Sequence, residues 1–111
     1  MRGRPAARAP QYLSLTTRGR RSGKPREIEI WFTRRDGRYY LIAEHGRRAN
    51  WVRNLVADPA VRVRVGRRTF RARARVVDAQ AERALIRAVR ARSEKKYGWG
   101  AGLAVELAPV Q

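Results

Sequence analysis

The chain has 111 residues, a net charge of +18, no cysteine and one histidine. That length fits one domain with a modest core, and the lack of cysteine excludes disulfides, thiolate nucleophiles and cysteine-ligated zinc; a histidine-rich metal site within one subunit is not expected either. The sequence has no apolar leader and no apolar run long enough for a membrane span, so we expect a cytoplasmic protein.

The first half of the chain predicts short strands joined by polar turns and followed by a helix. The three strands span residues 11–17, 27–32 and 38–43. Asp36-Gly37 lies between the second and third strands and predicts a hairpin turn. Asn50 is placed to cap a short helix with apolar residues at helical spacing, and Asp58-Pro59 is expected to end it.

The second half predicts a hairpin, a longer helix and a last strand. The strands span residues 60–66, 69–77 and 103–107, and the first of them contains the alternating run Val-Arg-Val-Arg-Val. Asp78 can cap a helix that continues to about Lys96, and Gly98 would stop it.

The order of these elements, β-β-β-α-β-β-α-β, indicates a mainly β protein of the α+β class, a small six-stranded barrel with two helices packed outside it. Residues 11–111 would form this single domain, and residues 1–10 would form a flexible basic arm before it. A Rossmann unit is disfavoured because no glycine-rich turn joins a strand directly to a helix.

The turn between the first two strands is the strongest functional signal. Residues 15–26 read Leu-Thr-Thr-Arg-Gly-Arg-Arg-Ser-Gly-Lys-Pro-Arg; five of these twelve residues are basic and none is acidic. Glycines expose backbone N–H groups, guanidinium forks bind phosphate or carboxylate oxygens in pairs, and serine adds a neutral donor. This composition predicts an anion-binding loop, and the alternative is a solvated basic turn in a very basic protein.

A second basic feature is the predicted hairpin of residues 60–77. Its outer face would carry five arginines: Arg62, Arg64, Arg71, Arg73 and Arg75. This arginine stripe could grip a nucleic-acid backbone. We favour a solvent-facing sheet surface, because no aromatic side chains are interleaved for base stacking. The 27 basic residues include only three lysines, a bias towards arginine that a GC-rich genome would produce.

Outside the basic turn the candidates are weaker. His45 could donate a proton, Trp51 could wall a cofactor pocket, and Tyr97 could belong to a mobile lid. For each of them a passive structural role is the alternative. No Ser-His-Asp set, acidic pair or P-loop can be assembled, so the chemistry of an enzyme with this sequence would come from a bound cofactor.

Two segments resemble the deazaflavin-dependent nitroreductase family, part of the FMN-binding split-barrel superfamily of pyridoxamine-phosphate-oxidase-like proteins. Residues 15–26 are similar to the family signature L-x-T-x-G-R-K/R-S-G-x-P-R. Residues 51–63 are similar to its segment W-x-x-N-L-x-A-x-P-x-V-x-V. The resemblance covers about residues 12 to 77, and it implies a six-stranded split barrel that forms a homodimer.

The resemblance also implies a reaction, in which reduced coenzyme F420, a deazaflavin, gives a hydride to a quinone, a nitroaromatic or an enone-like acceptor. By position, the coenzyme would be held by Arg20, Arg21, Ser22, Arg26, Ile42, Ala43, Glu44, His45, Gly46, Trp51 and Asn54. The first four would bind the phosphate and carboxylates of its tail, residues 42–46 would run along its ring system, and Trp51 and Asn54 would support that wall. His45 and Tyr97 are the candidates for a catalytic side chain, and no metal is implied.

The segment of residues 44–50 departs from the family pattern. It is shorter than the usual loop, and Glu44 replaces a small polar residue. The activating tyrosines of the family have no clear match except Tyr97. FMN in place of F420 therefore stays open, as does a non-catalytic flavin or heme carrier on the same fold. A basic nucleic-acid-binding module is the least favoured alternative.

Overall fold

The computed structural model describes residues 11–110, so the basic arm expected over residues 1–10 lies outside the described residues. The strands are β1 (Tyr12–Arg18), β2 (Pro25–Trp31), β3 (Thr33–Arg35), β4 (Arg38–Ala43), β5 (Ala60–Val65), β6 (Arg68–Val76) and β7 (Leu103–Pro109), and the helices are α1 (Asn50–Ala57) and α2 (Arg83–Tyr97). A short 3-10 helix, Gly46–Arg48, precedes α1. The predicted mainly β architecture with two helices is confirmed.

All seven strands form one antiparallel sheet in the order β2-β1-β5-β6-β7-β4-β3. The two edge strands, β2 and β3, are consecutive in the chain, and Phe32 alone lies between them. The sheet therefore curls until its two edges meet at Phe32. The sheet has one strand more than predicted because the segment assigned to the second strand, residues 27–32, ends in this bend, and a new strand starts beyond it.

The chain bends at Phe32 because its ring and its backbone are both engaged outside the strand ladder. The ring is 3% exposed and packs against Tyr39. The Phe32 N–H donates to the Tyr97 hydroxyl oxygen (3.1 Å), and the Phe32 carbonyl oxygen accepts from Lys96 Nζ (3.0 Å). The neighbouring Trp31 stacks on the Tyr97 ring at 4.5 Å. The end of α2 thus holds the corner where the two sheet edges meet.

Alternation along the strands places apolar side chains inside the curled sheet and arginines outside it. The interior contains buried residues from several strands, among them Leu13, Leu15, Leu41, Val63, Val105 and Leu107. The five arginines of the predicted stripe are all exposed on β5 and β6, so their orientation is confirmed. A second, smaller core lies beneath α2, around the fully buried Val89.

Helix α1 begins differently from the prediction. Ala49 occupies the N-cap position and Asn50 is the first helical residue, so the prediction that Asn50 caps this helix is wrong. The Asn50 side chain instead accepts a hydrogen bond from Arg20 (3.3 Å), which takes up the oxygen that a cap would have used. The helix ends before Asp58, as predicted.

Helix α2 starts later than predicted. The Asp78 carboxylate accepts from the N–H groups of Ala81 (3.0 Å) and Gln80 (2.9 Å), and these two bonds lower its pKa. They close a separate turn, and the helix begins only at Arg83, so Asp78 is not its cap. Gly98 follows the helix with a φ of 77°, in the left-handed region that suits glycine, and ends it as predicted.

Candidate functional site

The basic turn between β1 and β2, residues 19–24, is a compact structure built on Gly19. The Gly19 N–H donates to the Lys24 carbonyl oxygen, and the Gly19 carbonyl oxygen accepts from the Gly23 N–H, both at 2.8 Å. Ser22 Oγ accepts from the Lys24 N–H at 3.1 Å. A Cβ at position 19 would stand 2.7 Å from Ser22 Oγ and 3.3 Å from the Lys24 carbonyl oxygen. A side chain at position 19 would therefore force Ser22 Oγ to move and press against the Lys24 carbonyl oxygen.

A cavity of about 500 Å³ lies between this turn and α1, and we call it the Arg20 cavity. Its lining residues are Thr17, Gly19, Arg20, Arg21, Ser22, Arg26, Ile28, Asn50, Trp51 and Asn54. Six of the eleven residues predicted to hold a coenzyme are among them. Three of the lining residues are arginines and none is acidic, while Trp51 and Ile28 supply apolar surface. The arrangement suits an anion that also has a flat apolar part.

Arg20 is fixed in this cavity by two asparagines of α1. Asn54 Oδ1 accepts from the Arg20 main-chain N–H (3.2 Å) and from Arg20 Nη1 (2.9 Å). Asn50 Oδ1 accepts from Arg20 Nη2 (3.3 Å). Asn54 is 5% exposed, and its Nδ2 donates to Thr17 Oγ1 (3.2 Å), which ties the amide to β1 as well. The guanidinium is therefore held before any ligand arrives.

The charges of the cavity are not neutralised within the described part of the chain. No ion pair among residues 11–110 involves Arg20, Arg21 or Arg26. The nearby Arg18, by contrast, lies 3.7 Å from an oxygen of Asp58. Among residues 11–110, therefore, no carboxylate competes with an external anion for the three guanidinium groups.

Three lining residues had no ligand-related role in the sequence analysis: Thr17, Ile28 and Asn50. A signal for Asn50 was present, because it precedes Asn54 by four residues and side chains at that spacing share one face of a helix. The other two depend on how β1 and β2 pair. Thr17 lies opposite Arg26, and Ile28 lies opposite Leu15, a register that sequence spacing alone does not give.

A larger open groove of about 770 Å³ lies on the other side of the same turn. Its lining includes Arg18 and two arginines of the stripe, Arg62 and Arg71, with Glu27 as the one acidic residue. The groove and the Arg20 cavity share Thr17. Positive charge therefore flanks the turn on both sides.

Residues 42–46 do not line the Arg20 cavity. Ile42 and Ala43 are buried in β4, opposite Ala104 and Leu103 of β7. Glu44 and His45 are exposed, Gly46 is half-buried, and the His45 carbonyl oxygen accepts from the Arg48 N–H (3.2 Å) at the start of the 3-10 helix. Their contact with a coenzyme ring, and a catalytic role for His45, stay predictions.

Tyr97, the other catalytic candidate, also lies outside the lining of the Arg20 cavity. Its hydroxyl accepts from the Phe32 N–H and lies 2.6 and 2.7 Å from the carbonyl oxygens of Gln11 and Phe32, and it can donate its single proton to either one of them. Its ring stacks on Trp31. These contacts give Tyr97 a structural task at the corner of the sheet.

The one strongly buried carboxylate among the described residues, Glu106 on β7, belongs to a separate structural cluster. It accepts from the Tyr40 hydroxyl (2.9 Å) and from Arg75 Nε (2.9 Å), and Arg38 lies 3.7 Å away. Burial, and then the Glu106 carboxylate, raise the pKa of Tyr40, so its hydroxyl stays protonated as a donor. Arg75 also binds Glu82 at 2.7 Å, and through these bonds the pKa of Arg75 is raised. Both carboxylate oxygens of Glu106 have hydrogen-bond partners within the protein, which marks the cluster as structural.

Two negative findings concern the described residues alone. Within residues 11–110, no helix is long and apolar enough to cross a membrane. The same part of the chain contains no group of three or more His, Asp or Glu side chains that could hold a metal ion.

The curled antiparallel sheet places the protein among the split-barrel proteins. It superposes on the heme storage protein HutZ from Vibrio cholerae with a TM-score of 0.73 at 21% identity, over 91% of this chain and 82% of that one. It superposes on an F420-H2 dependent reductase with a TM-score of 0.63 at 23% identity, over 87% of this chain and 93% of that one. The split-barrel fold implied by the resemblance is confirmed.

Within that class, the model of the F420H(2)-dependent quinone reductase family matches residues 2–104, so the chain belongs to this family. It is 34% identical over 65 residues to the F420H(2)-dependent quinone reductase of Mycobacterium tuberculosis strain H37Rv. That match covers 56% of this chain and 44% of the relative, so it spans less than half of the relative's length.

Proposed function

We propose that this protein is an F420-dependent reductase that passes a hydride from the reduced coenzyme to a small electrophilic acceptor, acting as a homodimer. Family membership supports F420 as the coenzyme and a quinone as the first acceptor. Nitroaromatics and enones are included in the proposal because they are electrophilic in the same way. The single observation that carries the proposal is the Arg20 cavity, where three guanidinium groups with no acidic partner in the described part of the chain lie beside the Trp51 indole.

The residues of the Arg20 cavity fit the charged part of this coenzyme. The tail of F420 carries a phosphate and carboxylates, and guanidinium groups bind both through paired, charge-assisted hydrogen bonds. Arg20, Arg21 and Arg26 would hold these groups, with Ser22 as a neutral donor. A volume of about 500 Å³ lies within the range of cofactor pockets.

The protein's share of the reaction is binding, orientation and exclusion of water. When bound, the coenzyme supplies the hydride, and a quinone that takes up this hydride and one proton becomes a hydroquinone. The reacting atoms must be held about 3–3.5 Å apart, and Trp51 would offer its indole face as a wall for the ring system. We propose that water supplies the proton, since the lining of the cavity contains no carboxyl or imidazole group, and His45 outside this lining stays the side-chain candidate.

The first test is a fluorescence titration of the purified protein with F420, FMN and hemin side by side. We expect saturable binding of F420 at micromolar concentration, and oxidation of the reduced coenzyme when menadione is added. A protein that binds FMN or hemin and leaves F420 unbound would be a flavin or heme carrier, and that result would contradict the proposal.

The second test removes charge from the site. The double variant Arg20→Ala with Arg21→Ala should weaken F420 binding by about a hundredfold or more, because each lost charge-assisted bond is worth about 1.5–3 kcal/mol. The matched control, Arg67→Ala with Arg73→Ala, removes the same charge from two exposed residues outside the cavity lining. Equal losses in the two variants would mean that the net charge of +18, and not a site, attracts the coenzyme.

A further inference from the structure

We infer that Asn54 and Asn50 are positioning residues, whose amide oxygens hold the Arg20 guanidinium at the cavity and leave its positive charge uncompensated. The inference rests on the proposed function, because the anionic tail of the coenzyme is the ligand that this charge would bind. In this interpretation the two asparagines of α1 affect coenzyme binding by holding Arg20, and they do not contact the coenzyme themselves.

The buried amide of Asn54 fixes both the backbone and the side chain of Arg20. One oxygen accepts from the main chain and from the side chain of the same arginine, so backbone and guanidinium are held to one point of α1. Thr17 holds the other end of that amide. Free arginine side chains lose considerable conformational entropy when they bind, and an arginine held in advance has less of it left to lose.

The side-chain oxygens that accept hydrogen bonds from the Arg20 guanidinium belong to uncharged amides. Two other arginines that connect elements pair the guanidinium with carboxylates: Arg75 binds Glu82 and Glu106, and Arg18 lies near Asp58. Arg90 instead donates to the Gly102 carbonyl oxygen. Within residues 11–110, Arg20 is held by amide oxygens alone, which accept hydrogen bonds and carry no charge. An incoming phosphate therefore meets an intact positive charge and need not displace a carboxylate.

Asn54 has little left to offer a ligand. Its Oδ1 already accepts two hydrogen bonds and its Nδ2 already donates one, and the residue is 5% exposed. Asparagine is also a poor helix former, so two asparagines one turn apart in an eight-residue helix call for a reason. Holding Arg20 is the reason that these contacts supply.

The charge of the acceptor is tested by Asn54→Asp, which keeps the shape and the accepting oxygen and adds a negative charge. We expect F420 to bind at least about tenfold more weakly, the equivalent of one charge-assisted contact. At saturating coenzyme, the turnover with menadione should stay close to that of the wild type, so the effect appears in KM. The control Gln80→Glu makes the same isosteric change at an exposed residue outside the cavity lining, and should leave affinity unchanged.

The action through Arg20 is tested by a double-mutant cycle of Asn54→Ala and Arg20→Ala, read by direct F420 titration. We expect Asn54→Ala to weaken binding in the wild-type background and to add little once Arg20 is gone. If Asn54→Asp proves unstable in thermal unfolding, Asn50→Asp at the exposed rim tests the same point and should weaken binding several-fold.

The outcomes separate the inference from the function on which it rests. Wild-type protein that fails to bind F420 overturns both. Wild-type protein that binds F420, with aspartate variants of equal affinity or with strictly additive effects in the cycle, overturns the inference and leaves the proposed function standing.

Discussion

At the scale of single residues, Gly19 shows how a missing side chain shapes the site. Ser22 Oγ and the Lys24 carbonyl oxygen occupy the space that a Cβ would need. We predict that Gly19→Ala loosens the turn, lowers stability by about 1–2 kcal/mol and weakens F420 binding, since the residues that follow it line the cavity. Thermal unfolding and an F420 titration of the same preparation measure both effects.

The companion variant Gly19→Ala with Ser22→Ala serves as the control. Removing Ser22 Oγ relieves the 2.7 Å approach and leaves the 3.3 Å approach to Lys24, so stability should recover in part. A single Gly19→Ala variant with wild-type stability and affinity would show that the turn tolerates a side chain there, contrary to the geometry described above.

The same scale shows what the sequence alone could predict of the site. The basic composition of residues 15–26 predicts an anion site, because glycines expose backbone N–H groups beside guanidinium forks. The cavity beside α1, which the sequence did not show, favours that prediction over a solvated turn. The function of Asn50 could not be deduced in the same way, because its partner Arg20 is thirty residues away in the chain. The preference of asparagine for helix N-caps predicted that Asn50 would cap α1. In the structure its side chain accepts a hydrogen bond from Arg20 instead.

At the scale of elements, Arg75 on β6 connects β7 to the segment that leads into α2. It binds the Glu82 carboxylate through two hydrogen bonds of 2.7 and 2.8 Å, and they lower the pKa of Glu82 from 4.5 to about 2. The folded protein therefore keeps this carboxylate ionised at a pH where the unfolded chain binds a proton. Its contribution to stability is complete above about pH 4.5 and is lost as the pH falls toward about 2.

We predict that Glu82→Gln removes part of the acid sensitivity of the fold. As the pH is lowered from 4.5 to about 2, the urea concentration at the unfolding midpoint should decrease for the wild type and should decrease less for the variant. The control Glu29→Gln changes an exposed carboxylate with no ion pair among the described residues. Its urea midpoint should decrease with falling pH as steeply as that of the wild type. An equal pH dependence of the urea midpoint in Glu82→Gln and the wild type would show that Glu82 does not contribute to the acid sensitivity of the fold.

Tyr97 connects α2 to the corner at Phe32, and Tyr97→Phe tests that role. The variant keeps the stack on Trp31 and loses the hydroxyl that binds the Phe32 backbone. We predict a loss of about 1–2 kcal/mol in stability, as for other hydrogen bonds to buried backbone groups. Turnover with F420 and menadione, measured below the unfolding temperature, should stay near the wild-type value. A stable variant with abolished turnover would instead make Tyr97 a catalytic residue.

At the scale of the whole molecule, the curled sheet explains which parts of the fold could be predicted from sequence. The alternation of Val61, Arg62 and Val63 follows from local chemistry alone, and this strand lies where it was expected. The end of β2 at Trp31 and the start of β3 at Thr33 depend on Phe32. The hydrogen-bond partner of Phe32, Tyr97, lies sixty-five residues further along the chain. Local patterns therefore predict the strands, and the closure of the sheet is decided by contacts between distant residues.

The distribution of charge is the second property of the whole molecule. The five arginines of the stripe on β5 and β6 are exposed and none of them lines the Arg20 cavity, although Arg62 and Arg71 line the groove next to it. Such charges raise the local concentration of any anion, an effect that salt screens, whereas paired hydrogen bonds in a fixed cavity persist better at high salt. This difference separates general attraction from a site.

The most direct measurement is a crystal structure of the protein grown with F420. The account predicts that the phosphate and carboxylates of the tail lie within hydrogen-bonding distance of Arg20, Arg21 and Arg26, with Arg20 still bound to Asn54. Coenzyme density located elsewhere, with these three arginines pointing into solvent, would contradict it.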